Sequence, residues 1–219
     1  MNIKEHHSVT LCGETLTGPL HICAFFDSRE EQYEILLPWI KEGLANKDEV
    51  LNILETNLHF DHCSRLSKEN IPVQESLKNG QLKIASTEDT YLQGGAFAVD
   101  RMFHIVEQAL IDAQNGPYSM FRGCGEMQWA LKNLPGTDQL MEYEARLNFL
   151  TPQYDCSIIC IYDINKFSGR AVADILASHS HVILNGRIHK NPHYIEPMQL
   201  LKILLKRPKR PIQKTDFIT

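Results

Sequence analysis

The chain has 219 residues, of which 43% are hydrophobic, and 22 basic against 27 acidic residues give it a formal net charge of -5. This length and hydrophobic content suit one α/β domain with a substantial core and leave little room for two. The acidic balance excludes a general electrostatic attraction to nucleic acid or to an anionic membrane. We therefore expect no direct contact with nucleic acid and no membrane association.

Two further features of the composition concern the cellular compartment. The amino terminus lacks the apolar core of a secretory signal, and no run approaches the roughly 20 apolar residues that cross a bilayer. The six cysteines are scattered without a CxxC pair. We therefore expect a cytoplasmic protein with reduced thiols, in which Cys23, Cys156 and Cys160 act as small hydrophobic residues of buried strands.

The first predicted unit is strand, helix, strand. Residues 21–26 are typical of a short buried strand, Asp27 or Ser28 can cap the next element, residues 30–43 predict an amphipathic helix, and residues 50–54 predict the second strand. In a nucleotide-binding protein of this layout the turn carries GxxxxGK[ST], whose backbone amides, lysine and hydroxyl hold the phosphates. Here the turn reads FDSREEQY, with three carboxylates and neither glycine nor lysine. We predict that triphosphate chemistry has been lost.

The middle of the chain continues this alternation. A strand is predicted at residues 82–85, and a helix at residues 100–115, where apolar residues recur three and four positions apart. Residues 118–123 predict a strand that ends at Arg122. A second helix is predicted at residues 140–150. Its buried side would carry Tyr143, Leu147 and Leu150, and its solvent-exposed side would carry Glu142, Glu144 and Arg146.

The last third of the chain contains the clearest buried strand, the apolar run 157–163, which ends on Asp163. A helix at residues 168–178, capped by Ser168 or Asn165, a strand at 181–184 and a helix at 197–205 follow. The whole order predicts an α/β fold with a mostly parallel central sheet and helices on both faces.

In such an open sheet, ligands bind beyond the carboxyl ends of the strands. The residues expected there are aromatic and polar, which suits a small organic ligand better than a polyphosphate. A helix cap or turn acceptor stays an open role for Asp163, and a partly exposed salt bridge stays open for Arg122 and Glu126. The predicted rim comprises Phe26, Asp27, Arg122, Glu126, Tyr162 and Asp163.

Two histidine-containing segments raise the question of a metal. The run LHFDHC at residues 58–63 resembles part of the HxHxDH run of metallo-β-lactamase-type hydrolases, but Asn57 holds the first histidine position and further ligands are missing. A polar loop after the second strand is the better interpretation. In the second segment, His179 and His181 would lie on one face of a strand, and His193 follows after it. Hydrogen bonding is favoured for these histidines over metal binding.

Catalytic signatures are also missing from the sequence. It contains no GxSxG nucleophile elbow and no recognisable pairing of a cysteine with a histidine and an acid. We therefore predict no catalytic residues, no metal ligands and no cofactor.

Several runs, taken in order, resemble one known family. They are HICAFFDS (21–28), YLQGGAF (91–97), RGCGEMQWAL (122–131), YEARLN (143–148), CIYD (160–163) and HKNPHY (189–194). The set is similar to the MEDS domain, the methanogen/methylotroph DcmR sensory domain, over about residues 18–197. Trp129, His189 and Asn191 lie in these runs, and with the rim residues they complete the predicted ligand contacts.

The resemblance implies a RecA-like or KaiC-like three-layer core without a phosphate loop. It also implies a sensory role beside histidine kinase or DNA-binding modules, with halogenated or one-carbon compounds as suggested ligands. We divide the chain into an amino-terminal extension (1–17), the sensory domain (18–205) and a basic tail (206–219). Little sequence follows the domain, so we expect output through a separate regulator or kinase or through a homo-oligomer.

The predicted function is therefore a non-catalytic sensory module that binds a small organic ligand and relays the signal in a prokaryotic regulatory system. Two other classes stay open. One is a cryptic nucleotide-dependent or metal-dependent hydrolase that uses Asp163, or His59, Asp61 and His62. The other is a scaffold subunit that binds another RecA-like protein.

Overall fold

A computed structural model of the chain describes residues 7–208 and 210–214. The strands are β1 (Ser8–Leu11), β2 (Glu14–Thr17), β3 (Leu20–Phe26), β4 (Glu49–Leu54), β5 (Leu82–Ser86), β6 (Phe121–Glu126), β7 (Cys156–Asp163), β8 (His181–Leu184) and β9 (Arg187–Lys190). The α-helices are α1 (Arg29–Ala45), α2 (His59–Lys68), α3 (Val73–Lys78), α4 (Val99–Asn115), α5 (Leu140–Leu150), α6 (Gly169–Ser178) and α7 (Pro197–Leu205).

Seven of the strands form one central sheet in the order β5-β4-β6-β7-β3-β8-β9. All neighbours pair in parallel except β8 and β9, which form an antiparallel hairpin at one edge. The strands β1 and β2 pair only with each other, as a separate antiparallel hairpin. The mostly parallel α/β sheet predicted from the sequence is confirmed.

Helices cover both faces of this sheet. On one face, apolar side chains of α1, α2, α3 and the β1-β2 hairpin form a core around Trp39 and Leu66. On the other face, α4, α5 and α6 contribute a second core that includes Met102, Leu147 and Ile175. Every residue of β3 is buried, because both of its faces are covered. The three-layer arrangement is therefore confirmed.

Two serines fix the starts of helices. The Ser28 hydroxyl accepts a hydrogen bond from the Glu31 amide at 3.1 Å and caps α1. The Ser168 hydroxyl accepts one from the Ala171 amide at 3.3 Å and caps α6. Each hydroxyl satisfies an amide that has no partner inside its helix. Of the caps proposed from the sequence, Ser28 and Ser168 are the ones that act.

The prediction for β6 was wrong in its position. The strand runs from Phe121 to Glu126, so Arg122 is its second residue and not its end. The error arose because glycine usually weakens a strand. Here the glycines are required by packing: a Cβ atom on Gly125 would collide with the Tyr91 hydroxyl, and one on Gly123 would lie 2.8 Å from the Phe121 ring.

The polar loop predicted after the second strand was also wrong. The segment forms α2, which buries His62 and Leu66 and leaves its charged residues at the surface. Short elements with few apolar residues were missed in the same way, namely α3, β9 and the β1-β2 hairpin. The two residues between β8 and β9, Asn185 and Gly186, both have positive φ, as a tight hairpin turn requires. In the described residues, no helix has the length and apolar character needed to cross a membrane.

Candidate functional site

The turn after β3 occupies the position that a phosphate loop would have. Two of its backbone amides are already bonded to the chain's own side chains: the Asp27 amide donates to the Glu31 carboxylate at 2.9 Å, and the Glu31 amide donates to the Ser28 hydroxyl. Arg29 donates to both oxygens of Glu126, at 3.0 and 3.4 Å. Gln32 adds a third hydrogen bond to Glu126 at 3.2 Å. The acid at the end of β6 is therefore paired with a cation of the same turn.

A small void lies behind this ion pair. Its volume of about 10 Å³ is bounded by Tyr33, Asn52, His62, Cys124 and Glu126, among others, which is room for one water molecule. The Tyr33 hydroxyl lies 2.9 Å from His62 Nδ1. Burial, with the charges of His59 and Arg29, lowers the pKa of His62 to about 4, so the ring is neutral in the folded protein.

The acid at the end of β7 bonds to the chain itself. Asp163 accepts from the Asn165 amide at 3.1 Å and pairs with Lys166 at 2.9 Å. Asn165 also donates to the Asp27 carbonyl at 2.9 Å, which ties the two turns together. Phe26 is buried in the core, whereas Asp27 is exposed. Asp163 thus has the turn-acceptor role that the sequence left open.

Arg122 lies at the opposite end of the sheet, because it is near the start of β6. Its guanidinium is fully buried and donates to Asp48 at 2.6 Å, to Glu42 at 2.8 Å and to the Trp39 carbonyl at 2.9 Å. Gly43 makes room for it, since a Cβ atom there would lie 2.6 Å from the Arg122 side chain. Arg122 is separated from the predicted rim.

The most unusual group of side chains surrounds Glu144, which the sequence pattern placed in water. Glu144 is fully buried, because α5 packs on the sheet and also against α4, α6 and α7. Its Oε2 atom lies 3.2 Å from His21 Nε2, 3.4 Å from His179 Nε2 and 3.4 Å from Cys160 Sγ. His21 Nε2 and Cys160 Sγ are 3.5 Å apart. We call these four residues, His21, Glu144, Cys160 and His179, the Glu144 cluster.

Four separate elements supply the Glu144 cluster. His21 is the second residue of β3, Cys160 lies in the neighbouring strand β7, Glu144 comes from α5, and His179 follows α6 directly. All four are buried, with no more than 2% of their surface exposed. Their four ligand atoms lie within 4.8 Å of one another.

The hydrogen-bond partners of the two Nδ1 atoms determine which nitrogen of each imidazole carries the proton. The Asn148 amide nitrogen donates to the Glu144 and Ser178 carbonyls at 3.0 and 2.7 Å, so its oxygen faces His21 Nδ1 at 3.2 Å and accepts from it. His179 Nδ1 lies 2.8 Å from the Ile175 carbonyl and donates to it. In the neutral rings, both Nε2 atoms therefore present lone pairs to the centre of the cluster.

The electrostatics of the cluster follow from this geometry. Burial opposes ionisation of Glu144, but its contacts with the His179 and His21 rings outweigh burial and hold its pKa well below the usual range. Burial, with the neighbouring His179, lowers the pKa of His21. Burial, with the nearby carboxylate, raises the pKa of the Cys160 thiol. The protein thus keeps an ionised carboxylate beside a neutral His21 ring and a protonated thiol in its interior.

Two predicted ligand contacts support this cluster instead of the rim. The Tyr162 hydroxyl donates to Glu144 Oε1 at 2.8 Å. Asn191 donates to the Leu176 and His179 carbonyls at 2.6 and 2.7 Å, which fixes the backbone that carries His179. Trp129 is buried and stacks on Tyr91 with 4.9 Å between ring centroids, and His189 is exposed on β9. The nine predicted contacts therefore do not converge on one place.

No pattern in the sequence groups the four cluster residues together. His179 and His181 were considered as a pair, but β8 begins only at His181. His181 bonds to Ser180, while His179 turns into the core. The available signal was the presence of His21 and Cys160 in strands that are otherwise apolar, since each polar side chain there needs a buried partner.

A larger groove lies on the outer side of α5. It has a volume of about 360 Å³ between α5, α6, α7 and residues 207–208 and 210–213. Its lining includes the apolar residues Met141, Leu201 and Leu204 together with charged residues such as Glu142 and Arg170. Residues of the predicted basic tail close it: Arg207 pairs with Asp174 at 2.6 Å, and the Gln213 carbonyl accepts from the Ser168 amide at 3.1 Å.

The chain is similar to a known protein family, to a transcriptional repressor and to a protein of solved structure. The family model for MEDS, the MEthanogen/methylotroph, DcmR Sensory domain, matches residues 20–180. The transcriptional repressor DcmR of Methylorubrum extorquens is 24% identical over 180 residues, which are 81% of this chain and 64% of that protein. The chain thus matches less than two thirds of the repressor's length. A KaiC-like protein from Pyrococcus horikoshii OT3 superposes with a TM-score of 0.58 at 11% identity, over 79% of this chain and 74% of that one.

Proposed function

The chain belongs to the MEDS family of sensory domains, and we propose that it is a non-catalytic sensory module that binds a small organic molecule and relays its presence to a partner regulator or kinase. Family membership and similarity to a transcriptional repressor support a regulatory role. The KaiC-like neighbour supports the RecA-like fold alone.

The observation that carries the proposal is the filled turn after β3. A phosphate loop works because free backbone amides and a lysine point at the anion. Here Glu31 and Ser28 occupy two of those amides, and Glu126 occupies the nearby arginine. A triphosphate at this turn would have to displace carboxylates that are already bonded there. The arrangement favours a receptor over an NTP-hydrolysing enzyme.

We place the organic ligand in the groove beside α5. Its volume of about 360 Å³ falls within the roughly 300–1,000 Å³ typical of small-molecule sites. The void at the strand ends holds no more than a water molecule, and its acid is already paired. Apolar walls formed by Met141, Leu201 and Leu204 suit an uncharged organic compound. The alternative position for the ligand is the rim at the strand ends, formed by Phe26, Asp27, Glu126 and Asp163.

The same groove offers a route for the signal. Residues 207–208 and 210–213 form one of its walls, and their contacts with the domain include the Arg207–Asp174 pair, the Ser168–Gln213 hydrogen bond and the packing of Ile212 against the core. A ligand that contacts this wall changes the balance between its docked and released forms. We propose that the partner regulator or kinase binds one of these two forms in preference to the other.

The test is a thermal-shift and calorimetry screen with halogenated and one-carbon organic compounds. We expect a compound that raises the melting temperature of the wild-type chain and of Asp163→Asn, but not of Leu201→Trp, whose larger side chain fills part of the groove. The reverse pattern would move the ligand to the strand ends. Absence of any binding compound, together with tight ATP-magnesium binding and turnover, would refute the sensory proposal.

A further inference from the structure

The Glu144 cluster has the composition of a transition-metal centre. Imidazole nitrogen, thiolate sulfur and carboxylate oxygen are the donors that zinc takes in proteins. Within residues 7–208 and 210–214, this is the one set of three or more such side chains close enough to share an ion. The four donors come from His21, Glu144, Cys160 and His179, and each offers one ligand atom within 4.8 Å of the other three.

Four of the six distances within the cluster match a tetrahedron, and the other two are no longer than 4.8 Å. Zinc bonds of about 2.0–2.1 Å to nitrogen or oxygen separate two such ligands by about 3.3 Å, and a sulfur ligand at about 2.3 Å lies about 3.6 Å from either. The two Nε2 atoms lie 3.2 and 3.4 Å from Glu144 Oε2. Cys160 Sγ lies 3.5 Å from His21 Nε2 and 3.4 Å from Glu144 Oε2. These four of the six edges are close to those of a tetrahedral zinc site.

The proton positions give an independent argument. Both imidazoles donate Nδ1–H to fixed acceptors, Asn148 and the Ile175 carbonyl, which is the orientation that metal-binding histidines adopt. His179 Nε2 is fully buried and has no hydrogen-bond partner among the described residues. A lone pair that points at a carboxylate oxygen, without a proton between them, is unfavourable in a dry interior. A cation at the centre would satisfy both nitrogens and the carboxylate together.

We propose that His21, Glu144, Cys160 and His179 bind one zinc ion in a closed structural site. Four protein donors complete a tetrahedron and leave no open position, so the ion would hold the fold and not activate water. Binding forms the bond between zinc and Cys160 sulfur, breaks the S–H bond and releases the proton to solvent. The thiolate and the carboxylate then balance the charge of the ion. This inference is independent of the proposed sensory function.

The test begins with metal analysis of the full chain purified without a histidine tag. We expect about one zinc ion per chain, removable by a strong chelator and replaceable by Co²⁺. The cobalt form should show a sulfur-to-metal charge-transfer band and the intense visible bands of tetrahedral Co²⁺. A folded wild-type chain that takes up neither ion would overturn the proposal.

Matched cysteine variants sharpen the test. Cys160→Ala should lose the ion, whereas Cys156→Ala should keep it, because Cys156 lies in the same strand, is equally buried and bonds to the Thr151 carbonyl. Equal metal content in the two variants would overturn the proposal. If Cys160→Ala does not fold, the wild-type cobalt spectrum decides: a thiolate band supports the site, and cobalt bound without that band refutes it.

A variant of Asn148 tests whether the orientation of the His21 ring affects zinc binding when all four ligands are kept. Asn148→Ala removes the acceptor of His21 Nδ1 but none of the four ligands. We expect zinc affinity, measured against a chromophoric chelator, to fall by about 10–100-fold while the cobalt spectrum keeps its thiolate band. Unchanged affinity in this variant would count against the proposed coordination by His21.

Discussion

Replacing Arg122 by methionine should destabilise the fold without affecting ligand response. The change keeps a long side chain but removes the guanidinium that pairs with Asp48 at 2.6 Å and with Glu42 at 2.8 Å. Asp48 has 2% of its side chain exposed, so it would be left as a buried charge without its partner. Breaking a buried pair in this way costs about 3–5 kcal/mol. For a domain of this size that corresponds to a melting temperature lower by about 6–20 °C.

The pH dependence of this deficit provides a second check. Burial raises the pKa of Asp48 even with Arg122 beside it, and removal of the arginine raises it further. A carboxyl group whose pKa is raised in the folded state stabilises the protein when protonated, and this contribution is lost as pH rises through the folded-state pKa. The difference between wild type and Arg122→Met should therefore shrink as pH falls from about 8 towards about 4.

The assay is urea unfolding followed by circular dichroism, with Asp48→Asn/Arg122→Met as the companion variant. The double variant should recover part of the lost stability, since an uncharged amide replaces the unpaired carboxylate. A single variant within about 0.5 kcal/mol of wild type would refute the argument, as would a double variant less stable than the single one. Loss of ligand binding in a folded Arg122→Met chain would return Arg122 to the ligand site.

Three further predictions concern other parts of the structure. The pKa of His62 lies at about 4 in the folded protein and at about 6.5 in the unfolded chain. The free energy of unfolding should therefore fall by up to about 3 kcal/mol between pH 7 and pH 4. In urea titrations, His62→Gln should reduce this dependence on pH. Gly125→Ala should cost about 1–3 kcal/mol because its methyl group meets the Tyr91 hydroxyl, whereas Gly169→Ala, with open space around it, should be neutral or slightly stabilising by calorimetry. Chelator treatment should lower the melting temperature of the wild-type chain, by the equivalent of about 3 kcal/mol if zinc was present at 100 times its dissociation constant, and leave Cys160→Ala unchanged.

The sequence was most informative where a single physical rule decides the structure. The apolar run in β7 has few alternatives to a buried parallel strand, and it was predicted to within one residue, as Cys156–Asp163 against 157–163. Serine before a helix has a local partner in the third amide that follows, so Ser28 and Ser168 could be recognised. These features depend on neighbours close in sequence.

The predictions were wrong where the environment of a residue depends on a partner that is distant in the sequence. A glutamate in an amphipathic helix is normally exposed, and nothing near Glu144 shows that His21 and His179 will meet it in the core. Glycines in a strand normally weaken it, and nothing near Gly125 shows that Tyr91 will occupy its missing side chain. The fold class could therefore be predicted, while the residues that gather around Glu144 could not.

The Glu144 cluster also bears on how the polypeptide reaches its native state. Its members lie far apart along the chain, and the last of them, His179, becomes available only after most of the sheet has been synthesised. Until then the carboxylate of Glu144 lacks one of its two imidazole partners, and burying it early carries a large desolvation penalty. We therefore expect α5 to dock late, and chains truncated before His179 to be degraded because they cannot close this part of the interior.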